Sequence, residues 1–434
     1  MNNYRRLREK IEKKKAKICI VGLGYVGLPL AEAFAHRGYF VYGLDTNALR
    51  IKKLKKGERY IVDVEPQQIL FLIKKGKFFP TNEENVLADS DVIIICVPTP
   101  LRKVKIPDIS YVVKATQTIK NYLRAPQLII LESTSYPTTT RDVVLPILRD
   151  SGLKDERDFF LCFSPERVNP GDRKFPLVKI PKIVGGLSHK SATLAKSLYS
   201  KIIKKVFVVS SPEVAETSKL LENTFRLVNI ALVNEFAILC NRLGVSVWEV
   251  IEAAKTKPFG YMPFYPGSGI GGHCIPCDPL YLSWKAKKVG FKTKMIDLAS
   301  YINRYMPAYV VKRVKELLRS KGISLKNSYV LILGVTYKKD VKDLREAPAL
   351  DIIEKLRKEG ANVAYFDPLI PYIRIPTLNL KRIPLDGKRL RKYDCVVIVT
   401  DHSSFNYDFI RRNAKLIFDT RWVYKKNFPN VERL

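Results

Sequence analysis

The stretch Lys17-Ile-Cys-Ile-Val-Gly22-Leu-Gly24-Tyr-Val-Gly27-Leu-Pro-Leu-Ala-Glu-Ala-Phe34 decides how the chain is read. A short apolar run, Ile18 to Val21, leads into G-x-G-x-x-G, and a helix-forming segment follows. An acid, Asp45, stands 18 residues beyond Gly27 at the end of the next apolar run. This is the strand, turn, helix and acid of a dinucleotide-binding unit, in which the acid is expected roughly 20 residues on. Gly22 permits the tight turn, Gly24 lets backbone approach a pyrophosphate, and Gly27 lets helix pack on strand. The helix N-terminus supplies partial positive charge for the phosphates. Asp45 accepts hydrogen bonds from ribose hydroxyls and repels a 2′-phosphate, so NAD is favoured over NADP. Arg50 could blunt that preference, but it sits beyond the immediate loop.

Outward from this loop the pattern persists. KICIVGLG, YFVYGLD, DVIIICVP, QLIILEST and DFFLCFSP each read as a strand buried on both faces. They alternate with amphipathic stretches, which implies a parallel sheet with right-handed crossovers. From Ser211 to about Leu318 strand signals nearly vanish. EVAETSKLLENTFRLVNIALVNEFAILCNRLG reads as one long helix, started by Ser211 and Pro212 and stopped by glycine. From Asn327 the alternation resumes with YVLILGVTY, NVAYFDP, DCVVIVTD and KLIFDTRW. The expected layout is α/β: a basic extension over 1–16, an N-terminal Rossmann domain over 17–210, an all-helical middle over 211–318, and a C-terminal Rossmann-like domain over 319–434. The two α/β ends read as distant echoes of each other, and residues 1–16 as a short charged helix forming a solvated arm.

Composition bounds the function. The chain has 434 residues, 76 Lys plus Arg and 42 Asp plus Glu, for a formal charge of +34. Such a charge points to anionic partners. No nucleic-acid-reading motif or interleaved aromatic stripe accompanies it, so a polyanion binder is the remote reading and a solvated lysine-rich surface the plainer one. No run of 18 apolar residues exists, which argues against membrane insertion. Seven cysteines, an odd count in a large chain, argue against a disulfide framework and for a reducing cytoplasm.

Two of those cysteines lie in Pro266-Gly-Ser-Gly-Ile-Gly-Gly-His-Cys274-Ile-Pro-Cys277-Asp278-Pro279. Glycines let backbone amides converge on an anion, and a thiolate beside them is stabilised. Asp278 follows Cys274 by four residues, one turn away if a helix begins there, where a carboxylate can orient water or handle a proton. No second Cys/His pair stands near to complete a zinc site, and the context of a dithiol redox pair is missing. Cys274 is therefore read as a single nucleophile, and no metal is expected. A dinucleotide site with a nucleophilic cysteine suggests alcohol-to-acid oxidation, the thiol capturing an aldehyde before a second hydride transfer. The runner-up is a single-step hydroxy-acid dehydrogenase of similar layout, which needs no reactive cysteine.

GLGYVGLPLA, VPTP, SPERVNPG, a Lys-x-x-x-Asn pair, PGSGIGGHCIPCDP and GVTYKKDVKDLREAP occur in this order. The chain thus resembles the nucleotide-sugar 6-dehydrogenases, the UDP-glucose and GDP-mannose dehydrogenase superfamily. The GGHCIP-x-DP form is most similar to the branch acting on UDP-N-acetylhexosamines, UDP-N-acetylglucosamine above all. The resemblance implies a four-electron oxidation of C6 with two NAD+, for polysaccharide precursor synthesis, and a homodimer through the central helices. It assigns Cys274 as nucleophile and Asp278 to water and proton handling. Thr134 would position water and the first proton transfer, and Glu166 would act as base in thioester hydrolysis. Lys219 and Asn223, four apart on one helix face, would stabilise the developing oxyanion. Gly22, Gly24, Tyr25, Val26, Gly27, Asp45, Pro98, Thr99 and Thr134 would bind NAD, with Arg345 reaching the NAD of a neighbouring site. Glu166, Arg167, Val168, Lys219, Asn223, Phe264, Tyr265, Gly271 and Lys338 would bind the UDP-sugar. The chain departs from the family at two points. Residues 255–273 contain no Arg, only Lys255 and Lys257, and Cys277 replaces the usual aliphatic or polar residue. UDP-N-acetylmannosamine and UDP-glucose accordingly stay open as substrates.

Overall fold

The structure, a computed structural model, describes residues 2–61, 64–101, 106–168 and 175–434. The end of the SPERVNPG motif, residues 169–171, lies outside them. The fold is α/β, with two compact units: Met1–Glu222 with Leu280–Gly290, and Asn223–Pro279 with Phe291–Leu434. By packing, the helical middle is divided between the two. The boundary falls inside the helices Pro212–Leu243 and Cys274–Lys288.

The first unit holds eight strands: β1 (Lys17–Val21), β2 (Phe40–Leu44), β3 (Phe78–Thr81), β4 (Val92–Ile95), β5 (Gln127–Leu131), β6 (Phe159–Phe163), β7 (Lys182–Gly186) and β8 (Val206–Val209). Their order is β3-β2-β1-β4-β5-β6-β7-β8. Strand order reverses between β1 and β4, the place where open α/β sheets bind ligands outside the carboxyl ends of their strands. The five strands expected from apolar runs are β1, β2, β4, β5 and β6, and in the last three every residue is buried. The sequence reading passed over β3 and β8, four residues each and the latter half-exposed, and β7, whose buried run opens on a lysine and closes on two glycines. Pairing is parallel as far as β6, then β7 runs antiparallel to it. That reversal matters for the site.

The N-terminal arm is corrected by the structure. Helix Asn3–Glu12 is charged, as expected, but it is no solvated extension. Leu7 and Ile11, one turn apart, are fully buried in the first unit's core, and Tyr4 packs on the ring of Phe160. Tyr39 donates its hydroxyl to the Ile11 carbonyl, and Lys10 pairs with the buried Asp91 at 2.7 Å. Burying these two aliphatic side chains contributes roughly 1.5–3 kcal/mol each, which outweighs the preference of the charged positions for water.

The second unit is built on β9 (Tyr329–Leu333), β10 (Asn362–Phe366), the hairpin β11 (Tyr372–Ile375) and β12 (Leu378–Lys381), β13 (Cys395–Ile398), β14 (Ile417–Asp419) and β15 (Val431–Arg433). The main sheet has the order β10-β9-β13-β14-β15, all parallel. The echo between the two ends is a matter of hydrogen bonds. After β1, the Leu23 amide donates to Asp45 at the end of β2 (2.8 Å). After β9, the Val335 amide donates to Asp367 at the end of β10 (2.7 Å). Gly22 and Gly334 make the corresponding turns at φ +96° and +77°. Helices Pro212–Leu243 and Lys294–Arg319 are joined in this unit by Asn234 donating to Asn303 at 2.9 Å.

Candidate active site

In the first unit the expected cofactor residues gather at the carboxyl edge of the sheet. Gly22 to Gly27 link β1 to helix Gly27–His36. A Cβ on Gly27 would stand 1.9 Å from the Gly22 carbonyl oxygen, so helix and turn touch there. A Cβ on Gly24 would meet nothing within 4 Å. The loop therefore has open space on the side where a pyrophosphate approaches and none on the side where it packs, which fits a dinucleotide. Tyr25 is partly exposed and Val26 half-buried beside them. Asp45 is buried and already engaged. It accepts from the Leu23 and Asn47 amides and from Arg50 Nη1 at 2.6 Å. Sequence spacing had put Arg50 beyond reach, but the helical turn after Asn47 brings it back.

Pro98 and Thr99 follow β4, Thr134 follows β5, and Glu166, Arg167 and Val168 follow β6, on neighbouring strands. Pro98 is exposed, Thr99 buried and Thr134 half-buried. The Tyr281 hydroxyl donates to the Thr99 carbonyl and so ties Leu280–Gly290 into this unit. Glu166 is buried, and one carboxylate oxygen accepts from the backbone N–H groups of Arg167 (2.6 Å) and Val168 (2.5 Å). Burial alone would raise its pKa. The Lys182 ammonium, those two amides and the charge of Lys219 outweigh burial and hold the carboxyl below its usual range. The Arg167 side chain turns to Glu222 and the Pro181 carbonyl.

Lys219 is buried on helix Pro212–Leu243, and Asn223, also buried, lies one turn farther along the same helix. In the second unit Asn223 donates its amide to Asp278 at 2.6 Å. Helix Cys274–Lys288 begins at Cys274 itself, so Asp278 is one turn along, as the spacing suggested. Cys274 is exposed, whereas Cys277 is buried, and burial pushes the Cys277 thiol up to about 12. Of the pair, Cys274 is the thiol open to solvent. Burial, followed by the charge of Arg345, lowers the pKa of the adjacent His273, which keeps it neutral near pH 7. Among the described residues no group of three His, Cys, Asp or Glu could hold a metal ion.

The glycine loop ahead of Cys274 is locked from two sides of its own unit. Asn234 accepts from the Gly267 amide, and the Gly272 amide donates to the Arg345 carbonyl, both at 2.9 Å. A Cβ on Gly271 would lie 2.6 Å from both the Glu346 carbonyl oxygen and Tyr337 Cβ. The GGHC and VTYKKDVKDLREAP motifs, some 65 residues apart in sequence, thus pack on one another. Arg345 is exposed and paired with Asp343 at 2.6 Å, and Lys338 is half-buried in the same loop. Phe264 packs edge-on to Phe225, and Tyr265 bonds to Glu252 and stacks on Trp248. Sequence reasoning missed Asn234 and the buried trio Glu132, Lys182 and Tyr199 beneath Glu166. A lysine opening an apolar strand, in IPKIVGG, was the available signal.

Comparison with known proteins decides the family. Residues 16–203 match the NAD binding domain, residues 213–305 the central domain and residues 331–426 the UDP binding domain of the UDP-glucose/GDP-mannose dehydrogenase family. The chain belongs to that family. It is an NAD-dependent nucleotide-sugar dehydrogenase. It is 37% identical to a UDP-N-acetyl-D-glucosamine 6-dehydrogenase of Salmonella typhi over 418 residues, 94% of this chain and 96% of the relative. It is equally 37% identical over 416 residues to a UDP-N-acetyl-D-mannosamine dehydrogenase of Pyrococcus horikoshii, 94% and 96% of the two chains. A solved structure of the UDP-D-ManNAc dehydrogenase from that organism superposes with a TM-score of 0.88 at 35% identity, covering 96% of this dehydrogenase and 98% of the other chain.

Proposed function

We propose that this dehydrogenase oxidises C6 of a UDP-N-acetylhexosamine, UDP-N-acetylglucosamine first among them, to the uronic acid. The observation that carries the mechanism is Cys274, exposed at the first turn of its helix behind a locked glycine loop, with Asp278 one turn on and bonded to Asn223. Held by the Gly22 to Gly27 loop and Asp45, NAD+ would supply the hydride acceptor for each of two oxidations. In the first, the C6 hydroxyl loses its proton toward water positioned by Thr134 and Asp278, and an aldehyde results. The Cys274 thiol adds to that aldehyde, its proton passing to the new oxygen, and gives a hemithioacetal. The second oxidation removes hydride from C6 and the hydroxyl proton to solvent, leaving a thioester. Glu166 takes a proton from water, whose oxygen attacks the acyl carbon, and the thiol departs. Lys219 and Asn223 donate to the oxygen that bears charge in each of these steps. Per sugar, one water is consumed, two NADH and the acid form, and the thiol is regenerated.

The relatives' names divide between the glucosamine and mannosamine epimers, and UDP-glucose remains the third reading. Supplying UDP-N-acetylglucosamine, UDP-N-acetylmannosamine, UDP-glucose and GDP-mannose with NAD+ and counting NADH per sugar separates them. We expect two NADH with a UDP-N-acetylhexosamine. One NADH per sugar would replace this mechanism by a single-step oxidation. Seven free cysteines, six of them buried, favour a reducing cytoplasm, and no helix among the described residues is long and apolar enough to cross a membrane.

We also infer a homodimer through the central helices. Phe225, Leu232, Phe236 and Leu239 form a stripe at seven-, four- and three-residue spacing on helix Pro212–Leu243. Leu298 and Tyr301 are exposed on helix Lys294–Arg319, and all six are 45–63% exposed. A large apolar patch on one pair of helices suits a self-complementary two-fold interface. Sedimentation velocity is expected to show a dimer, and the Phe236→Glu/Leu239→Glu variant a monomer. A wild-type monomer at micromolar concentration would refute it.

A further inference from the structure

The strand reversal at β7 places an unassigned lysine beneath the proposed base. In a strand parallel to β6, the first residue would lie at the amino edge of the sheet. Because β7 runs antiparallel, its first residue, Lys182, lies instead at the carboxyl edge, beside the segments that follow β5 and β6. Lys182 is 4% exposed, and its ammonium stands 3.0 Å from Glu132 Oε2 and 3.3 Å from Glu166 Oε2. It also lies 5.2 Å from the centre of the Tyr199 ring, and the Tyr199 hydroxyl donates to the other Glu132 oxygen. Glu132 and Tyr199 are almost fully buried.

A buried ion pair is a weak device for stability, because desolvation of both partners offsets their attraction. One ammonium between two carboxylates is weaker still, since a third group is desolvated and the two carboxylates repel each other. Such an arrangement suits function better than packing. The Glu166 carboxylate is held at both oxygens, by two backbone amides on Oε1 and by Lys182 on Oε2. It cannot rotate without losing one of these partners, while Oε2, which accepts only from Lys182, keeps a lone pair with which to take up a proton.

We propose that Lys182 is a positioning residue for Glu166: its ammonium, clamped between Glu132 and Glu166, keeps the Glu166 carboxylate anionic and in one orientation for accepting the proton of the hydrolytic water. The proposal rests on the role of Glu166 proposed above. Glu132 is the counter-charge that keeps Lys182 seated, and Tyr199 orients Glu132. The direction of titration of Lys182 agrees: the two carboxylates overcome the effect of burial and raise it. Burial works the other way on Glu132 and raises it, with the Lys182 ammonium opposing that rise. Among the described residues, the groups facing this cluster are Lys219 and the thiol of Cys96. Burial, then the charge of Glu132, raises that thiol well above its ordinary range. Arg167 contributes its amide, while its guanidinium is occupied by Glu222.

The sign follows directly. With the ammonium present, Glu166 stays a base to lower pH. Removing the ammonium raises its pKa, so the acid limb of acyl-enzyme hydrolysis moves to higher pH. An opposite charge at this range shifts a carboxyl by about one unit or more. The experiment is a chemical-quench single turnover of the full-length enzyme with NAD+ and UDP-N-acetylglucosamine or UDP-N-acetylmannosamine, whichever turns over. The thioester on Cys274 is followed by intact-protein mass from pH 5 to 9. Lys182→Met is expected to move the acid limb up by about one pH unit or more, with the thioester accumulating below it, and Lys182→Arg to restore the wild-type limb. The Glu132→Gln/Lys182→Met double variant, which leaves no unpaired charge at Glu132, is expected to show the same shift even where the single variant folds poorly. An acid limb unmoved in the folded variants, while Glu166→Gln still stalls the thioester, overturns the role of Lys182 alone. A Glu166→Gln enzyme that hydrolyses its thioester normally overturns the Glu166 reading, and this proposal with it.

Discussion

Replacing Cys274 by alanine is expected to lower uronic-acid formation by roughly 10³-fold or more. The thiol carries the substrate between the two oxidations in the proposed mechanism, and nothing nearby replaces it. Cys277, three residues on, is buried with its thiol pushed up to about 12, so it supplies almost no thiolate near pH 7. The remaining cysteines, apart from Cys274, are buried as well. Alanine is a good helix former and adds no bulk at the exposed first turn, so folding should be preserved. Without capture as a hemithioacetal, oxidation would stop at the aldehyde, with at most one NADH per sugar. Counting NADH and weighing the product by mass spectrometry checks this. Two NADH per sugar at the wild-type rate from Cys274→Ala would remove the cysteine from the mechanism.

Gly27→Ala is the second large effect, and it acts on the fold. The new methyl would stand 1.9 Å from the Gly22 carbonyl oxygen and 3.0 Å from Ile20 Cγ2. The carbonyl has little freedom to retreat. Gly22 sits at φ +96° and its amide donates to the Leu44 carbonyl at 2.8 Å, which ties the turn to β2. Overpacking against fixed backbone costs roughly 3 kcal/mol or more, and the unfolding midpoint should fall by roughly 5 °C or more. Gly24→Ala is the control. Its methyl would meet nothing within 4 Å, so stability should be nearly unchanged, while NAD+ affinity falls because the methyl occupies the path of the pyrophosphate. Thermal unfolding and NAD+ titration of both variants separate the packing glycine from the binding glycine. Equal midpoints for the two would contradict the geometry.

Features set by local spacing were legible in the chain. β1, the turn at Gly22 and the helix from Gly27 follow from an apolar run, three glycines and a helix-forming segment. The long helix after Pro212 follows from its apolar periodicity and its glycine stop. Cys274 stood out because glycine density before it and an acid four residues after it are properties of one short segment. The start of the helix at Cys274 then puts Asp278 one turn away by helical geometry alone.

What lay beyond sequence reading depends on which distant segments meet. Asn223 and Asp278 are 55 residues apart and bond because both lie in the segment Asn223–Pro279, which packs as part of one unit. The glycine loop is held by Asn234 and by the Arg345 carbonyl, contacts that no spacing rule encodes. Leu7 and Ile11 were masked by the ten charged residues from Arg5 to Lys17, yet two buried aliphatic side chains are enough to seat the helix. Lys182 shows the difference most clearly. In sequence it is one of 76 cations opening a strand. The reversal of β7 against β6 alone sets it at the carboxyl edge between Glu132 and Glu166, because strand direction decides which end of a strand meets the site.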